Sequence, residues 1–334
     1  MAVATCTGTA AIHCALIAVG VKAHDLVICP GYTFIATANA VSYQHASPWL
    51  IDVDAENWTL DPSKVREALE TRTRRVGDDL VHSETGQRIG AILPVYTLGN
   101  VADMQAIHEL GEEFSLPVIA DAAAAIGATL NGLPLSPLAD LTTFSFNGNK
   151  TITSGGGGML IGQDESLLEK ARHISTTARV GADYDYDMVG HNYRMTNIQA
   201  AVGVGQMERL ADFIKRKKEI RAAYDTAFRE YTDVEPFPVA QWSGESVAWF
   251  SGFLLANDAQ ITSGELIDEL NERGILARSF WKPVHLQVPY ANCPSESLTV
   301  TNSIWSRVVT LPSSTGITDD ELNHVISSVT EILR

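Results

Sequence analysis

Four cysteines in 334 residues, none in a CxxC pair, suggest neither a disulfide framework nor a thiolate zinc site. Cys6, Cys14, Cys29 and Cys293 are irregularly spaced, and such usage fits a reducing cytoplasm. Positive charge is scarce as well. Lys and Arg number 24 against 40 Asp and Glu, a formal net charge of -16 that repels nucleic-acid phosphates and anionic membrane surfaces alike. Neither nucleic acid nor membrane is an expected partner. The apolar stretch from Ala10 to Gly20 falls short of the roughly 20 residues a bilayer requires, contains His13 and has no basic leader, so it reads as a buried helix. There is no HExxH, EF-hand loop or Walker A, and Gly155 to Gly158 is not a GxGxxG fingerprint, so no metal or nicotinamide is expected.

What remains is an ordinary globular composition, 45% apolar and 19% charged. At this length it predicts one large domain with a smaller appendage. The first two thirds alternate β-branched runs with helical stretches. VICP (27–30), WLIDVD (49–54), AILPVY (91–96), PVIAD (117–121) and TTFSF (142–146) predict buried strands, with helices near Ser63 to Glu70 and Ala102 to Glu113. The fold class is therefore α/β with a mostly parallel sheet in the large domain, residues 1–205. From Met195 to Tyr231 the pattern predicts one long spanning helix, its run KRKKE (215–219) on a solvated face, with 206–231 as the connection. Residues 232–334 predict a small α+β C-terminal domain, with a helix from Gly264 to Arg273, a Trp/Pro/His-rich loop at 280–290 and a closing helix from Thr318.

Ligands of open α/β sheets sit beyond the carboxyl ends of the strands, which singles out Asp121 and the stretch after Phe146. In SFNGNKTITSGGGGML (145–160), Lys150 lies in a glycine-rich turn, where desolvation and neighbours can lower an amine's pKa enough for Schiff-base chemistry. Alone it would read as a loop lysine, and its company raises it. Asp121 ends a strand among alanines, where a carboxylate is costly unless it meets a cation such as a protonated pyridine nitrogen; it would serve equally as the N-cap of a helix over Ala122 to Ala125. CTGTAAIHCAL (6–16) leads small residues into a helix start, where Gly8 and Thr9 can cradle a phosphate or Thr7 can simply cap. In PGYTFIAT (30–37) an aromatic could stack on a flat ring, while Tyr32 and Phe34 taken alone read as core. His108 and His173 read as structural or solvated, and Asp52 and Asp54 as a strand-end turn.

In this order, TGTAAI, PGYTF, PVIADAAAAIGA, TTFSFNGNKTITSGGGGML and GHNYRMTNIQAAVGVGQM resemble the DegT/DnrJ/EryC1/StrS family of sugar aminotransferases that depend on pyridoxal 5'-phosphate (PLP). FSFNGNKTITSGGGGM with ADAAAAIGA looks most like the branch that makes UDP-4-amino-4,6-dideoxy-N-acetylglucosamine. The resemblance implies aminotransferase fold type I and a homodimer with shared active sites. It implies a Schiff base on Lys150, with Asp121 on the pyridine nitrogen. Ser145, Gly8 and Thr9 would lie on the phosphate, and Phe34 against the ring. Asn192 would reach the neighbouring subunit's cofactor, with Arg194 as the weaker choice. Trp281 and His285, in SFWKPVHLQ (279–287), would line the sugar pocket. Glutamate is the implied donor, and C4 of a nucleotide-linked 4-keto-6-deoxy sugar such as UDP-4-keto-6-deoxy-GlcNAc is the implied acceptor. Related sugar dehydratases carry histidine where this chain has Lys150. Against the family pattern, Ala124 replaces a customary polar residue, and the chain begins almost at the phosphate turn, ahead of which family members carry a further segment. A non-catalytic binder of PLP or a sugar nucleotide, acting as a regulator, is the alternative from another class.

Overall fold

The computed structural model describes residues 1–135, 138–239 and 244–334. The large domain is built on strands β1 (Ala2–Thr5), β2 (Leu26–Pro30), β3 (Ser47–Ile51), β4 (Ile89–Ile92), β5 (Ile119–Asp121), β6 (Leu141–Ser145) and β7 (Gly158–Ile161). β2 pairs in parallel with β3 and β4, and β6 pairs in parallel with β5. Parallel bridges Ile92–Val118 and Val95–Asp121 join the two groups, giving the order β3-β2-β4-β5-β6-β7-β1. β7 runs against both its neighbours, β6 and β1. Successive residues of β2 face opposite sides, and both sides are buried. Leu26 and Ile28 enter one core with Trp49 and Ile92, while Val27 and Cys29 enter another with Leu50 and Leu141. This two-sided burial is why the strands read as unbroken apolar runs.

The expected strands all appear, with bounds shifted by up to four residues and most of them beginning earlier than expected. Asp52 leaves β3 because its carboxylate turns to the C-terminal third, accepting from Val300 N (2.7 Å), Thr301 N (2.9 Å) and Thr301 Oγ1 (2.7 Å). Helices α1 (Gly8–Ala18), α2 (Ile35–Tyr43), α3 (Pro62–Arg72), α4 (Met104–Phe114) and α5 (Glu165–Ser175) connect the strands. The single long helix expected from Met195 to Tyr231 is instead two, α6 (Asn197–Met207) and α7 (Leu210–Ala227), broken where Arg209 takes φ -109° and ψ 7°.

Four antiparallel strands, β8 (Val234–Pro236), β9 (Ser251–Leu255), β10 (Arg278–Ser279) and β11 (Val308–Leu311), form a second sheet in the order β8-β9-β11-β10. α7, α8 (Ser263–Glu272) and α9 (Asp319–Ile332) cover it, burying Tyr224, Leu266, Leu270, Val325 and Val329 against Phe253 and Val309. The closing helix starts on a capping box between Thr318 and Glu321, as its sequence predicts. Residues 284–298 return to the large domain, where Val284, Tyr290 and Leu298 join its core. Together with the Asp52 clamp, this return holds the β10–β11 wall opposite the ends of β5 and β6.

Candidate active site

Beyond the carboxyl ends of β2, β5 and β6 lies a cavity of about 900 Å³. Gly8, Thr9, Phe34, Asp121, Ser145 and Lys150 line it from the large domain, and Arg278, Phe280, Trp281 and Ser313 from the small one.

Asp121 ends β5 and is buried. Its Oδ2 accepts from Thr37 Oγ1 at 2.8 Å, and its Oδ1 from Ala123 N at 3.1 Å. Burial pushes its pKa above the usual carboxylate value, while those two hydrogen bonds and the Lys150 charge pull it back. The expected helix over Ala122 to Ala125 is a turn instead, with Ala125 N donating to the Ala122 carbonyl at 2.9 Å. Asp121 therefore caps a turn rather than a helix, and its carboxylate stays within reach of the cavity.

Lys150 follows β6 in a short turn, its amide donating to the Asn147 carbonyl at 3.0 Å. Its ammonium lies 3.7 Å from the centre of the Trp249 ring. Burial brings its pKa down to about 8, against the pull of Asp121, which raises it. Trp249, only 2% exposed, is tied down at three points. Its Nε1 donates to the Asn149 carbonyl (2.7 Å), its amide donates to the Leu98 carbonyl (3.1 Å), and its own carbonyl accepts from Lys217 Nζ (2.8 Å). Sequence reasoning missed both Trp249 and Lys217. Nothing near VAWFSG marks its tryptophan, and Lys217 sits inside a charge run.

At the start of α1, Thr7 Oγ1 accepts from Ala10 N at 3.0 Å. The first-turn amides of Gly8 and Thr9, which a helix leaves without acceptors, belong to residues lining the cavity. Gly8 is required there by contact, since a Cβ would lie 2.7 Å from Ser145 Cβ. Gly158 serves the same closeness from the other side, since its Cβ would meet Gly8 N at 2.7 Å. That part of the glycine run thus lets two backbones approach each other.

Phe34 is 52% exposed, its ring centre 6.2 Å from that of Trp281, which stacks on Phe280 at 4.2 Å. The structure does not bring His285 to the cavity. A 3-10 turn over Val284–Leu286 carries it away, and its Nε2 meets Asn302 Oδ1 at 2.9 Å. Asn192 and Arg194 are exposed and also outside their own chain's cavity.

A mostly parallel α/β sheet presents a lysine of lowered pKa, a buried carboxylate and a helix-start anion cradle around one cavity. That combination defines the fold type I class of PLP enzymes. The chain belongs to the DegT/DnrJ/EryC1/StrS aminotransferase family, whose model matches residues 1–330. It is 34% identical to a GDP-perosamine synthase of Caulobacter vibrioides, over 99% of this chain and 85% of that protein. It is 32% identical to a GDP-perosamine synthase of Escherichia coli O157:H7, over 97% of this chain and 83% of that protein. In fold it matches a solved DegT DnrJ EryC1 StrS aminotransferase from Brucella abortus with a TM-score of 0.89, at 24% identity, covering 99% of this chain and 86% of that one. PLP is the cofactor of this family, and the cavity offers groups of the kinds that suit it, an amine, a buried carboxylate and amides at a helix start.

Proposed function

We propose that this chain moves an amino group from glutamate to C4 of a nucleotide-linked 4-keto-6-deoxy sugar, in the synthesis of a bacterial surface polysaccharide or glycan. The observation that carries the reading is the gathering of Lys150 and Asp121 in one cavity beside Gly8 and Ser145. Lys150 would hold PLP covalently through Nζ, Asp121 would pair with its ring nitrogen, Ser145, Gly8 and Thr9 would hold its phosphate, and Phe34 would lie against its ring. When bound, PLP supplies an electron sink for the substrate carbon that loses a proton.

Everything else falls to the chain itself. Lys150 Nζ, the amine nearest the reacting carbon, would take up and give back the proton that the substrate carbon loses. A pKa of about 8 suits both directions near neutral pH. Asp121, oriented by Thr37 and Ala123, would pair with the protonated ring nitrogen. Trp249, Phe280 and Trp281 line the cavity and would keep water from the reacting carbon, with Trp281 facing the sugar.

The exposed apolar surface of α6 supports a homodimer as part of the same reading. α6 has no buried residue, and Ile198 on it is 79% exposed. Val204 and Met207 are exposed beside it, as is Val189 on the preceding segment. A second copy covering this apolar surface would bring its Asn192 toward the first copy's cofactor. The four free thiols fit the cytoplasm, the expected location.

UDP-4-keto-6-deoxy-GlcNAc is the acceptor suggested by the sequence motifs, and the named activity of two relatives supports a GDP-linked sugar instead. The deciding assay offers glutamate with UDP-, GDP- and dTDP-linked 4-keto-6-deoxy sugars and detects amino sugar by mass spectrometry. One nucleotide should be strongly preferred, and Lys150→Ala should abolish the product. No amino sugar from any of them, or full product from Lys150→Ala, would overturn the reading.

A further inference from the structure

The run KRKKE does not lie wholly on a solvated face. Lys215 and Lys218 are exposed and pair with Glu219 and Glu245, whereas Lys217 is only 7% exposed and lines the cavity. Its Nζ makes one hydrogen bond, to the Trp249 carbonyl, although an ammonium has three donors. Among the described residues no carboxylate forms an ion pair with it. One turn further along α7, Arg221 bonds the Phe250 and Phe237 carbonyls at 3.2 and 3.0 Å, and it has Asp225 at 3.2 Å to balance its charge. Lys217 performs the same carbonyl tethering with no counter-charge among the described residues. A neutral amide could make that tether without burying a charge, so tethering does not account for a cation at this position. Burial has brought its pKa down to about 8, the expected cost of an ammonium lacking an anion.

We propose that Lys217 anchors a carboxylate of the amino donor. The inference rests on the aminotransferase reading and names the residue that would recognise the donor. Trp249 connects the two lysines, with Lys150 over its indole and Lys217 on its carbonyl. Both lysines line the one cavity, so an amino acid whose nitrogen lies at Lys150 would share that space with Lys217. A carboxylate suits this position better than the diphosphate of a nucleotide sugar, because a single buried ammonium can offset the desolvation of one negative charge but not of two. Arg278 lines the same cavity but is exposed and forms no ion pair among the described residues, so it stands where a larger hydrated anion can reach.

The test uses glutarate, a five-carbon dicarboxylate without an amine, titrated calorimetrically into the unaltered protein and into Lys217→Gln and Lys217→Arg. Lys217→Gln should weaken glutarate binding at least about tenfold, or about 1.4 kcal/mol, and Lys217→Arg should hold it within about threefold. GDP and UDP should bind all three alike. On the PLP-loaded enzyme, Lys217→Gln should raise the glutamate concentration for half-saturation by the same factor. Nitrogen NMR of the unaltered protein gives a reading independent of how the variants fold, since glutarate should lift the Lys217 titration midpoint above about 8. Failure of glutarate to bind, an unmoved midpoint, or a Lys217→Gln effect confined to GDP and UDP would overturn the proposal. The aminotransferase reading has its own failure, no amino sugar from any nucleotide sugar, and glutarate binding is measured apart from it.

Discussion

The ammonium of Lys150 stands 3.7 Å above the Trp249 ring, and the indole N–H of that ring holds the carbonyl of the residue just before the lysine. One side chain from the edge of the small domain thus fixes both the reactive amine and the loop that carries it. A cation over an indole face gains about 0.5 to 2 kcal/mol, depending on how dry the contact is. Trp249→Phe should keep a ring beneath the amine but lose the hydrogen bond to Asn149, destabilising the fold by about 1 kcal/mol. Trp249→Ala should cost about 3 to 5 kcal/mol through the cavity it leaves. Urea denaturation of both variants measures the difference, and equal losses would contradict this role for the indole.

Lys150 should show its lowered pKa in the capture of PLP by cofactor-free protein. Below about 8 the amine is protonated and inert, so the capture rate should rise with pH and level off above that value. An ordinary lysine would keep gaining toward 10.4. Asp121 favours the charged amine, so Asp121→Asn should move the midpoint below about 8. Borohydride trapping followed by mass spectrometry across pH gives both curves, and an upward shift in the variant would refute the coupling.

Gly8→Ala would bring its Cβ within 2.7 Å of Ser145 Cβ, and neither backbone can yield without opening the start of α1. Such overpacking costs about 1 to 3 kcal/mol, and PLP affinity should fall about tenfold or more. Adding Ser145→Gly should recover much of the stability but not the affinity, since the serine hydroxyl is lost. Thermal melts and fluorescence titration of the single and double variants check the two parts separately.

Asp52→Ala should leave the Val300 and Thr301 amides without their acceptor and cut the tie between the end of β3 and the C-terminal third. The expected loss is about 2 to 4 kcal/mol, because the amides of Val53, Val300 and Thr301 and the Thr301 hydroxyl all lose this acceptor. Hydrogen exchange should speed up first at residues 299–304; uniform acceleration across the chain would argue against a local clamp.

The strands of the large domain were legible because burial on both faces leaves one local mark, an unbroken β-branched run. Lys150, Asp121, Gly8 and Ser145 stood out because each closes or follows such a run or opens a helix, the positions where open sheets hold ligands. The break between α6 and α7 left no such mark, since the helical pattern continues across it. His285 shared a motif with Trp281, yet the 3-10 turn at Val284 separates the two by one bend of backbone.

The sequence by itself determined the order of elements, the class of fold and the residue types able to carry the chemistry, because these follow from short-range periodicity and local composition. Only the tertiary structure decided which distant side chains meet. Lys217 looks like its neighbours in KRKKE until α7 lies against the Trp249 segment, and Trp249 is an unremarked core tryptophan until its ring comes beneath Lys150. Burial and lost solvation turn such residues from ordinary to reactive, and both depend on contacts between segments far apart in the chain.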